Sequence, residues 1–167
     1  MGLTPGTVPR CRDMLCQSSA RPFALCGSGR VPEGRNRGVW VVGARQCSEC
    51  GRSIAGKLGK VLAAHQVQVI SGMAAGIDSA GHAGALSAGG TTFAVLGCGC
   101  DICYPKTSRS LYRSIPEQGG GILSELAPGV LPRPPFLPLP HLTLRPPSCS
   151  RACGGDRARR RCRSRRA

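Results

Sequence analysis

Aromatic side chains are scarce in this sequence: one Trp, two Tyr and three Phe amount to 4% of 167 residues. Any hydrophobic core must therefore be built mainly from Val, Ile, Leu and Ala. No stretch reaches the roughly 20 apolar residues of a membrane span. The N-terminus also lacks the basic region and following apolar run of a secretory signal. We therefore expect a cytoplasmic protein with no membrane partner.

Acidic residues are few as well, with 8 Asp and Glu against 23 Lys and Arg, for a formal net charge of +15. Most of this excess lies in residues 131–167, where ten arginines accompany a single acidic residue. The rest of the chain is only mildly basic. The overall charge by itself is therefore weak evidence for binding to nucleic acid.

The composition divides the chain into three segments. Residues 1–36 form a mostly irregular lead-in, within which 22–27 are predicted to form a short strand. Residues 37–130 alternate between apolar runs and helical patterns, and we predict that they form the folded core. Residues 131–167 begin with closely spaced prolines, which prevent regular structure. They end in an arginine-rich stretch that cannot bury a core, and we expect this tail to be disordered.

The core contains four short apolar runs, at 39–43, 67–72, 92–97 and 121–125. Their starts lie 28, 25 and 29 residues apart, which is the length of a strand, a loop and a crossover helix. The apolar spacing typical of helices occurs at 51–65 and 77–88. Because strands buried on both faces and separated by helices are typical of parallel sheets, we predict an α/β fold with a Rossmann-like parallel sheet and flanking helices.

Three of the predicted strands end in glycine, at Gly43, Gly72 and Gly97. Glycine lets a backbone approach a bulky ligand, and the N-termini of the following helices offer unpaired N–H groups to phosphate. Arg45 follows the first strand, where its guanidinium group can pair with a phosphate. Tight strand-to-helix turns would require the same glycines. Neither the dinucleotide motif G-x-G-x-x-G nor the Walker A motif follows the first strand.

Four segments, in order, carry a resemblance to a known family. They are VVGARQCSECG (41–51), ISGMAAGIDSAGHAGAL (70–86), TTFAVLGCGCDICYP (91–105) and GGGILSELAPGV (119–130). Together they resemble the motifs of the DprA/Smf family of DNA-processing proteins over about 95 residues.

This resemblance implies a protein that binds single-stranded DNA at the strand ends and helps to load a RecA-type recombinase during natural transformation. It implies no catalytic reaction, no cofactor and no metal, and it suggests a homodimer. The residues that it places at the DNA or phosphate are Gly43, Arg45, Ser71, Gly72, Gly97 and Gly99. It gives two further residues, Asp78 and His82, a structural role.

The sequence also departs from the family pattern. Ala44 replaces a Ser, and Ala75 replaces an Arg that would contact phosphate. From Pro138 onward nothing resembles the family, so we hypothesise a C-terminally truncated or frameshifted member, incomplete at its C-terminal side and impaired in activity. Sequencing the locus tests this hypothesis. A sheet that ends with the run at 121–125 would leave that strand at an edge.

A zinc module is an alternative interpretation. The sequence contains eleven cysteines, and we expect them to be reduced because no export signal is present. Cys47 and Cys50 form one C-x-x-C pair, and Cys100 and Cys103 form another. Zinc prefers four such thiolates, but these pairs lie further apart than in zinc fingers.

Two further interpretations concern nucleotides and nucleic acids. The related lysine-decarboxylase-like enzymes share a Rossmann core and cleave nucleotides, with Asp78, Asp101 and Glu125 as candidate acids here. No two of these acids have a spacing that indicates joint acid–base work. The arginine-rich tail alone would also bind DNA or RNA electrostatically, with steep salt dependence.

Overall fold

The computed structural model describes residues 25–32, 37–132 and 150–153. Its strands are β1 (Cys26–Gly29), β2 (Gly38–Val42), β3 (Gln68–Ser71), β4 (Thr92–Leu96), β5 (Gly121–Ser124) and β6 (Ser150–Cys153). They form one sheet in the order β1-β5-β4-β3-β2-β6. Every neighbouring pair from β5 to β6 is parallel, and β1 runs antiparallel beside β5.

Three helices connect the parallel strands: α1 (Glu49–Ala64), α2 (Ile77–Ser87) and α3 (Arg109–Glu117). Ser48 caps α1, because its hydroxyl oxygen accepts a hydrogen bond from the N–H of Gly51 at 3.1 Å. The α/β fold with a Rossmann-like parallel sheet is thus confirmed. In the described part of the chain, no helix has both the length and the hydropathy of a membrane span.

All four predicted core strands are present, each within one residue of its predicted bounds. The expectation that the strand at 121–125 would form an edge is wrong, because β1 pairs along its outer side from Cys26–Ser124 to Gly29–Gly121. The sheet also extends beyond the predicted core on the other side, since β6 pairs with β2. The boundaries at 37 and 130 stay predictions, and most of the tail lies outside the described residues.

All three helices pack on one face of the sheet, which we call the first face. The α1–α2 half of its core combines Val41 and Val69 of the strands with Ala55, Ile77 and Ala85 of the helices. The α3 half places Ile115 of the helix against the strand residues Ala94, Leu96 and Ile122. The opposite, second face carries a separate buried cluster of Trp40, Ile70, Phe93 and Val95.

A buried polar link also joins α2 to the first face. His82 Nδ1 lies 2.6 Å from Thr92 Oγ1, and the Thr92 hydroxyl donates to the carbonyl of Val69 at 2.7 Å. Because that hydroxyl proton is already committed to Val69, Nδ1 must be the donor in the first bond. All the groups are buried. The structural role of His82 stays a prediction.

Glycines let α1 and α2 approach closely. A Cβ atom at Gly59 would lie 2.3 Å from the carbonyl oxygen of Gly81, and one at Gly84 would lie 2.1 Å from that of Gly56. At Gly56 itself, an added Cβ atom would meet its nearest neighbour, the carbonyl oxygen of Ala80, at an ordinary 3.7 Å.

Two alanine substitutions in α1 are therefore expected to act in opposite directions. Gly59→Ala forces the helices apart and should lower the free energy of unfolding by about 1–3 kcal/mol. Gly56→Ala, the matched control, should raise it by up to about 1 kcal/mol, because alanine is the better helix former. Urea denaturation of both variants measures these changes, and a stabilised Gly59→Ala variant would contradict the close packing.

Candidate functional site

A pocket of about 110 Å³ opens where β3 and β4 end. Its wall comes from the turns after these strands, from the loop after β2 and from a loop that precedes α3. The lining residues are Arg45, Gly72, Ala74, Ala75, Val95, Leu96, Gly97, Cys98, Tyr104 and Pro105. The pocket therefore lies at the carboxyl edge of the parallel sheet, where α/β proteins bind their ligands.

The pocket wall consists mainly of main-chain groups and apolar side chains, together with one cationic side chain. Arg45 is exposed and is the one charged side chain among the lining residues in the described part of the chain. Tyr104 stands at the same wall with 41% of its surface exposed. The lining contains no carboxylate and no imidazole. The pocket is thus suited to an anionic group and offers no acid–base pair among its described residues.

Three of the six predicted binding residues line this one pocket: Arg45, Gly72 and Gly97. The other three, Gly43, Ser71 and Gly99, lie next to the pocket and make contacts inside the protein. An added Cβ atom at Gly43 would collide with Ile77, at 2.6 Å. The position therefore needs glycine for the contact between β2 and α2.

Ser71 and Gly99 are also engaged inside the protein. The Ser71 side chain is fully buried, and its hydroxyl donates to the carbonyl of Val41 at 2.5 Å. Gly99 donates its N–H to the carbonyl of Val130 at 2.8 Å. A direct role of these two residues and of Gly43 in ligand binding stays a prediction.

Asp78 ties together the two loops at the pocket. Its carboxylate accepts hydrogen bonds from the N–H of Gly43 and from the N–H of Gly72, each at 3.2 Å. Asp78 is itself buried in the first turn of α2. Burial raises the pKa of this carboxyl group, and the backbone hydrogen bonds partly oppose the rise. One side chain thus links the end of β2 to the end of β3. The structural role of Asp78 stays a prediction.

Cys98 contributes a neutral thiol to the pocket. Its Sγ lies 3.5 Å from the carbonyl oxygen of Ile102. Burial, assisted by the charge of Asp101, raises the pKa of Cys98 to about 11. The group is therefore protonated near pH 7 and is a poor nucleophile and a poor metal ligand in this state.

The zinc interpretation finds no support in the described residues. The six cysteines from Cys26 to Cys103 are free thiols, and no group of three or more Cys, His, Asp or Glu side chains in the described part of the chain could hold a metal ion. Cys50 is exposed on α1, whereas Cys100 is buried beside α3. The two C-x-x-C pairs thus form no common ligand set.

Two of the three candidate acids of the nucleotide-cleaving interpretation, Asp78 and Asp101, accept hydrogen bonds from the backbone. Both carboxylate oxygens of Asp101 lie within 3.1 Å of the backbone nitrogen of Gly129, and this contact joins the loop after β4 to the turn after β5. Asp78 is occupied by the N–H groups of Gly43 and Gly72. Neither acid lines the pocket.

Sequence reasoning missed several lining residues. Tyr104 and Pro105 belong to one of the family motifs, but no residue pattern shows that this loop folds back onto the ends of β3 and β4. Ala75 is visible in the sequence only as a departure from the family, and its place on the wall follows from the structure. Ala74 and Cys98 carry no recognisable signal.

Asp78→Asn tests the carboxylate bridge. The carboxylate of Asp78 accepts from the N–H groups of Gly43 and Gly72. In the variant, the NH₂ group of the new asparagine faces one of these two N–H donors, so that one hydrogen bond is lost. We therefore expect the free energy of unfolding, measured by urea denaturation at neutral pH, to fall by about 1–3 kcal/mol.

The same variant should change the pH dependence of stability. Because burial raises the pKa of Asp78 in the folded protein, its carboxyl group releases the proton at a higher pH there than in the unfolded chain, where the pKa is 3.8. Protonation of Asp78 therefore contributes to the free energy of unfolding. This contribution is fully present below pH 3.8 and is lost as the pH rises through the raised pKa of the folded protein. Asp78→Asn should lack this dependence, and Asp101→Asn, which alters an exposed acid, should retain it. Identical pH profiles for wild type and Asp78→Asn would contradict the assignment.

Comparison with known proteins places this chain in a family. Residues 9–138 match the family described as DNA recombination-mediator protein A. The DNA processing protein DprA of Streptococcus pneumoniae (strain ATCC BAA-255 / R6) is 42% identical over 94 residues, or 56% of this chain and 33% of that protein. Protein Smf of Escherichia coli (strain K12) is 35% identical over 118 residues, or 71% of this chain and 32% of that protein. The chain thus spans about a third of the length of these relatives.

Solved structures agree with the sequence match. The X-ray structure of DprA from Streptococcus pneumoniae superimposes with a TM-score of 0.69 at 34% identity, over 78% of this chain and 45% of that one. DNA processing protein A of Helicobacter pylori, whose structure concerns its single-stranded DNA binding mode, has the same fold, with a TM-score of 0.59 at 24% identity. That superposition covers 77% of this chain and 57% of the other. Since the family match covers most of its sequence, this chain belongs to the DNA recombination-mediator protein A family, also named DprA/Smf.

Proposed function

We propose that this chain binds single-stranded DNA, and that the pocket at the carboxyl edge holds a phosphate of the DNA backbone. The observation that carries the proposal is the position of Arg45 on the same pocket wall as Gly72 and Gly97. An exposed guanidinium group supplies a charge-assisted fork for phosphate oxygens. The two glycines let the ligand approach the main chain without a side chain in between.

The position of α2 supports an anionic ligand. Ala74 and Ala75 line the pocket, and α2 begins at Ile77, just beyond them. The positive end of the helix dipole therefore lies beside the cavity. A pocket of about 110 Å³ is smaller than the roughly 300–1,000 Å³ that encloses a drug-sized ligand. It therefore suits a single phosphate group, with the rest of the nucleotide outside.

Tyr104 would add affinity for unpaired bases. Its ring is 41% exposed at the pocket wall. A base that is free of a duplex can stack on such a ring, and stacking of this kind is tolerant of sequence. A duplex keeps its bases stacked internally. The combination of a phosphate pocket and an exposed ring therefore favours single strands.

The wider role of the chain rests on its relatives and is likewise a proposal. We extend the DNA-processing function of the family to DNA uptake in natural transformation and to the loading of a RecA-type recombinase, with a homodimer as the working form. Binding here requires no catalytic step. The cleavage of nucleotides by an enzyme of the lysine-decarboxylase-like class has no described acid–base pair in this pocket to perform it.

Arg45→Ala tests the pocket. We expect the affinity for a fluorescent oligo(dT), measured by anisotropy across a salt series, to fall roughly tenfold, the size of one charge-assisted hydrogen bond. The salt dependence should also become shallower by about 0.7 per lost phosphate contact. Arg37→Ala is the matched control, because Arg37 is exposed just before β2, at the opposite edge of the sheet.

The arginine-rich tail needs its own control. In a second variant, the seven arginines between Arg157 and Arg166 are changed to Ser. If this variant keeps the preference for single strands and the effect of Arg45→Ala, the pocket is the binding site. If binding disappears with the tail arginines and Arg45→Ala has no effect, the tail is the binder and the proposal fails.

Ala75→Arg offers a test by gain of binding. Position 75 is exposed on the pocket wall, and the family motif has an arginine there. A second guanidinium group should strengthen oligo(dT) binding by roughly tenfold in the same assay. Ala83→Arg, which adds the same charge at an exposed site within α2, is the control. Equal gains from the two variants would show a general charge effect and contradict a phosphate site at position 75.

A further inference from the structure

The pocket wall combines two segments that are distant in the sequence. The turn after β3 contributes Ala74 and Ala75, and residues 98–108 contribute Tyr104 and Pro105. We call residues 98–108 the Tyr104 loop. The chain itself does not fix the distance between the two segments, because a helix and a strand separate them. Contacts made in the folded protein must therefore set this distance.

Two side chains attach the Tyr104 loop to later parts of the chain. The Tyr112 hydroxyl of α3 donates a hydrogen bond to the carbonyl of Cys100. The Asp101 carboxylate accepts a hydrogen bond from the N–H of Gly129, in the turn after β5, at 2.9 Å. These two bonds anchor the first half of the Tyr104 loop. They do not join the loop to the turn after β3.

A pair of serine hydroxyls makes the connection to the turn after β3. Ser79 Oγ lies 3.3 Å from Ser108 Oγ, at the end of the Tyr104 loop. The Ser79 hydroxyl also donates to the carbonyl of Ala74 at 2.6 Å. Because a hydroxyl group has one proton and that of Ser79 is committed to Ala74, Ser108 must be the donor in the contact between the two serines. The two hydroxyls thus form a chain of hydrogen bonds from the Tyr104 loop to the pocket wall.

Each serine is also fixed to the main chain of a residue that lines the pocket. Ser108 is 5% exposed, and its N–H donates to the carbonyl of Pro105 at 3.0 Å. Ser79 lies in the first turn of α2, and its N–H donates to the carbonyl of Ala74 at 3.1 Å. Both Pro105 and Ala74 line the pocket. The contact between the hydroxyls therefore links one lining segment directly to the other.

We propose that Ser79 and Ser108 are positioning residues of the pocket, whose hydroxyl contact holds Tyr104 where an unpaired base can stack while a phosphate is bound. This inference rests on the proposed binding of single-stranded DNA. Neither serine is among the lining residues, so both act through the loop that carries Tyr104. Their contribution is preorganisation, because a loop that is already in place loses less conformational entropy when the ligand binds.

Ser108→Ala in the full-length chain tests the contact, because it removes the donor and leaves the bond between Ser79 and Ala74 in place. We expect the affinity for a fluorescent oligo(dT) to fall roughly threefold to tenfold, the factor that corresponds to one net hydrogen bond. The affinity for an abasic oligomer of the same length, which has the phosphates but no bases to stack, should stay unchanged. A mere loss of folded protein would weaken the binding of both ligands equally and would overturn the proposal.

Variants of α2 supply the rescue and the matched control. Ser79→Ala should also weaken oligo(dT) binding, and Ser79→Thr, which keeps a hydroxyl group, should retain the wild-type affinity. Ser87→Ala removes a similar bond, from the Ser87 hydroxyl to the carbonyl of Gly84 at 2.8 Å, at the other end of the helix. It should leave binding unchanged. A loss of the same size in Ser87→Ala would overturn the proposal.

A measurement without DNA separates this inference from the proposed function. The sequence contains two tyrosines, Tyr104 and Tyr112, so a chain labelled with fluorinated tyrosine gives two signals in fluorine NMR. Tyr104→Phe assigns them. In the unliganded chain, Ser108→Ala should shift or broaden the Tyr104 signal, and Ser87→Ala should not. An unchanged Tyr104 signal would overturn the positioning role. If the signal changes but Arg45→Ala leaves oligo(dT) binding unaffected, the proposed function fails and the role of the serine pair in positioning Tyr104 stands.

Discussion

One buried carboxylate holds the functional edge of this protein together. Asp78 accepts the N–H groups of Gly43 and Gly72, so the ends of β2 and β3 and the start of α2 form one rigid corner. An isolated buried charge is costly, and this one is tolerated because backbone donors surround it. Arg45 and the turn after β3 are both attached to this corner. The shape of the pocket thus depends on a side chain that does not line it.

Much of the fold was predictable because it depends on local patterns. The spacing of the four apolar runs predicts the parallel strands, and the apolar periodicity predicts α1 and α2. The two remaining strands were predicted in part or not at all, for a physical reason. Cys26–Gly29 and Ser150–Cys153 are short, and they lie at the two edges of the sheet, where main-chain pairing stabilises sequences without a strong strand pattern. Tertiary context decided their structure.

The site was only partly predictable, because glycine is ambiguous in a sequence. Gly43 and Gly72 both end a strand, yet the first makes room for Ile77 and the second lines the pocket. Both roles call for the same residue at the same position. The fold-back of Tyr104 onto the pocket is a long-range contact that no local pattern encodes. The place of Arg45 at the pocket was predictable because it closely follows β2, at the carboxyl edge of the sheet.

The pairing of β6 with β2 has a consequence for how this sequence tolerates change. The pairing joins Ser150–Cys153 to Val39–Val42 along the main chain. Main-chain bonds do not distinguish one side chain from another, and proline is the residue that they exclude in a ladder position. We therefore expect side-chain substitutions in this edge strand to disturb the sheet less than substitutions in the strands that are paired on both sides.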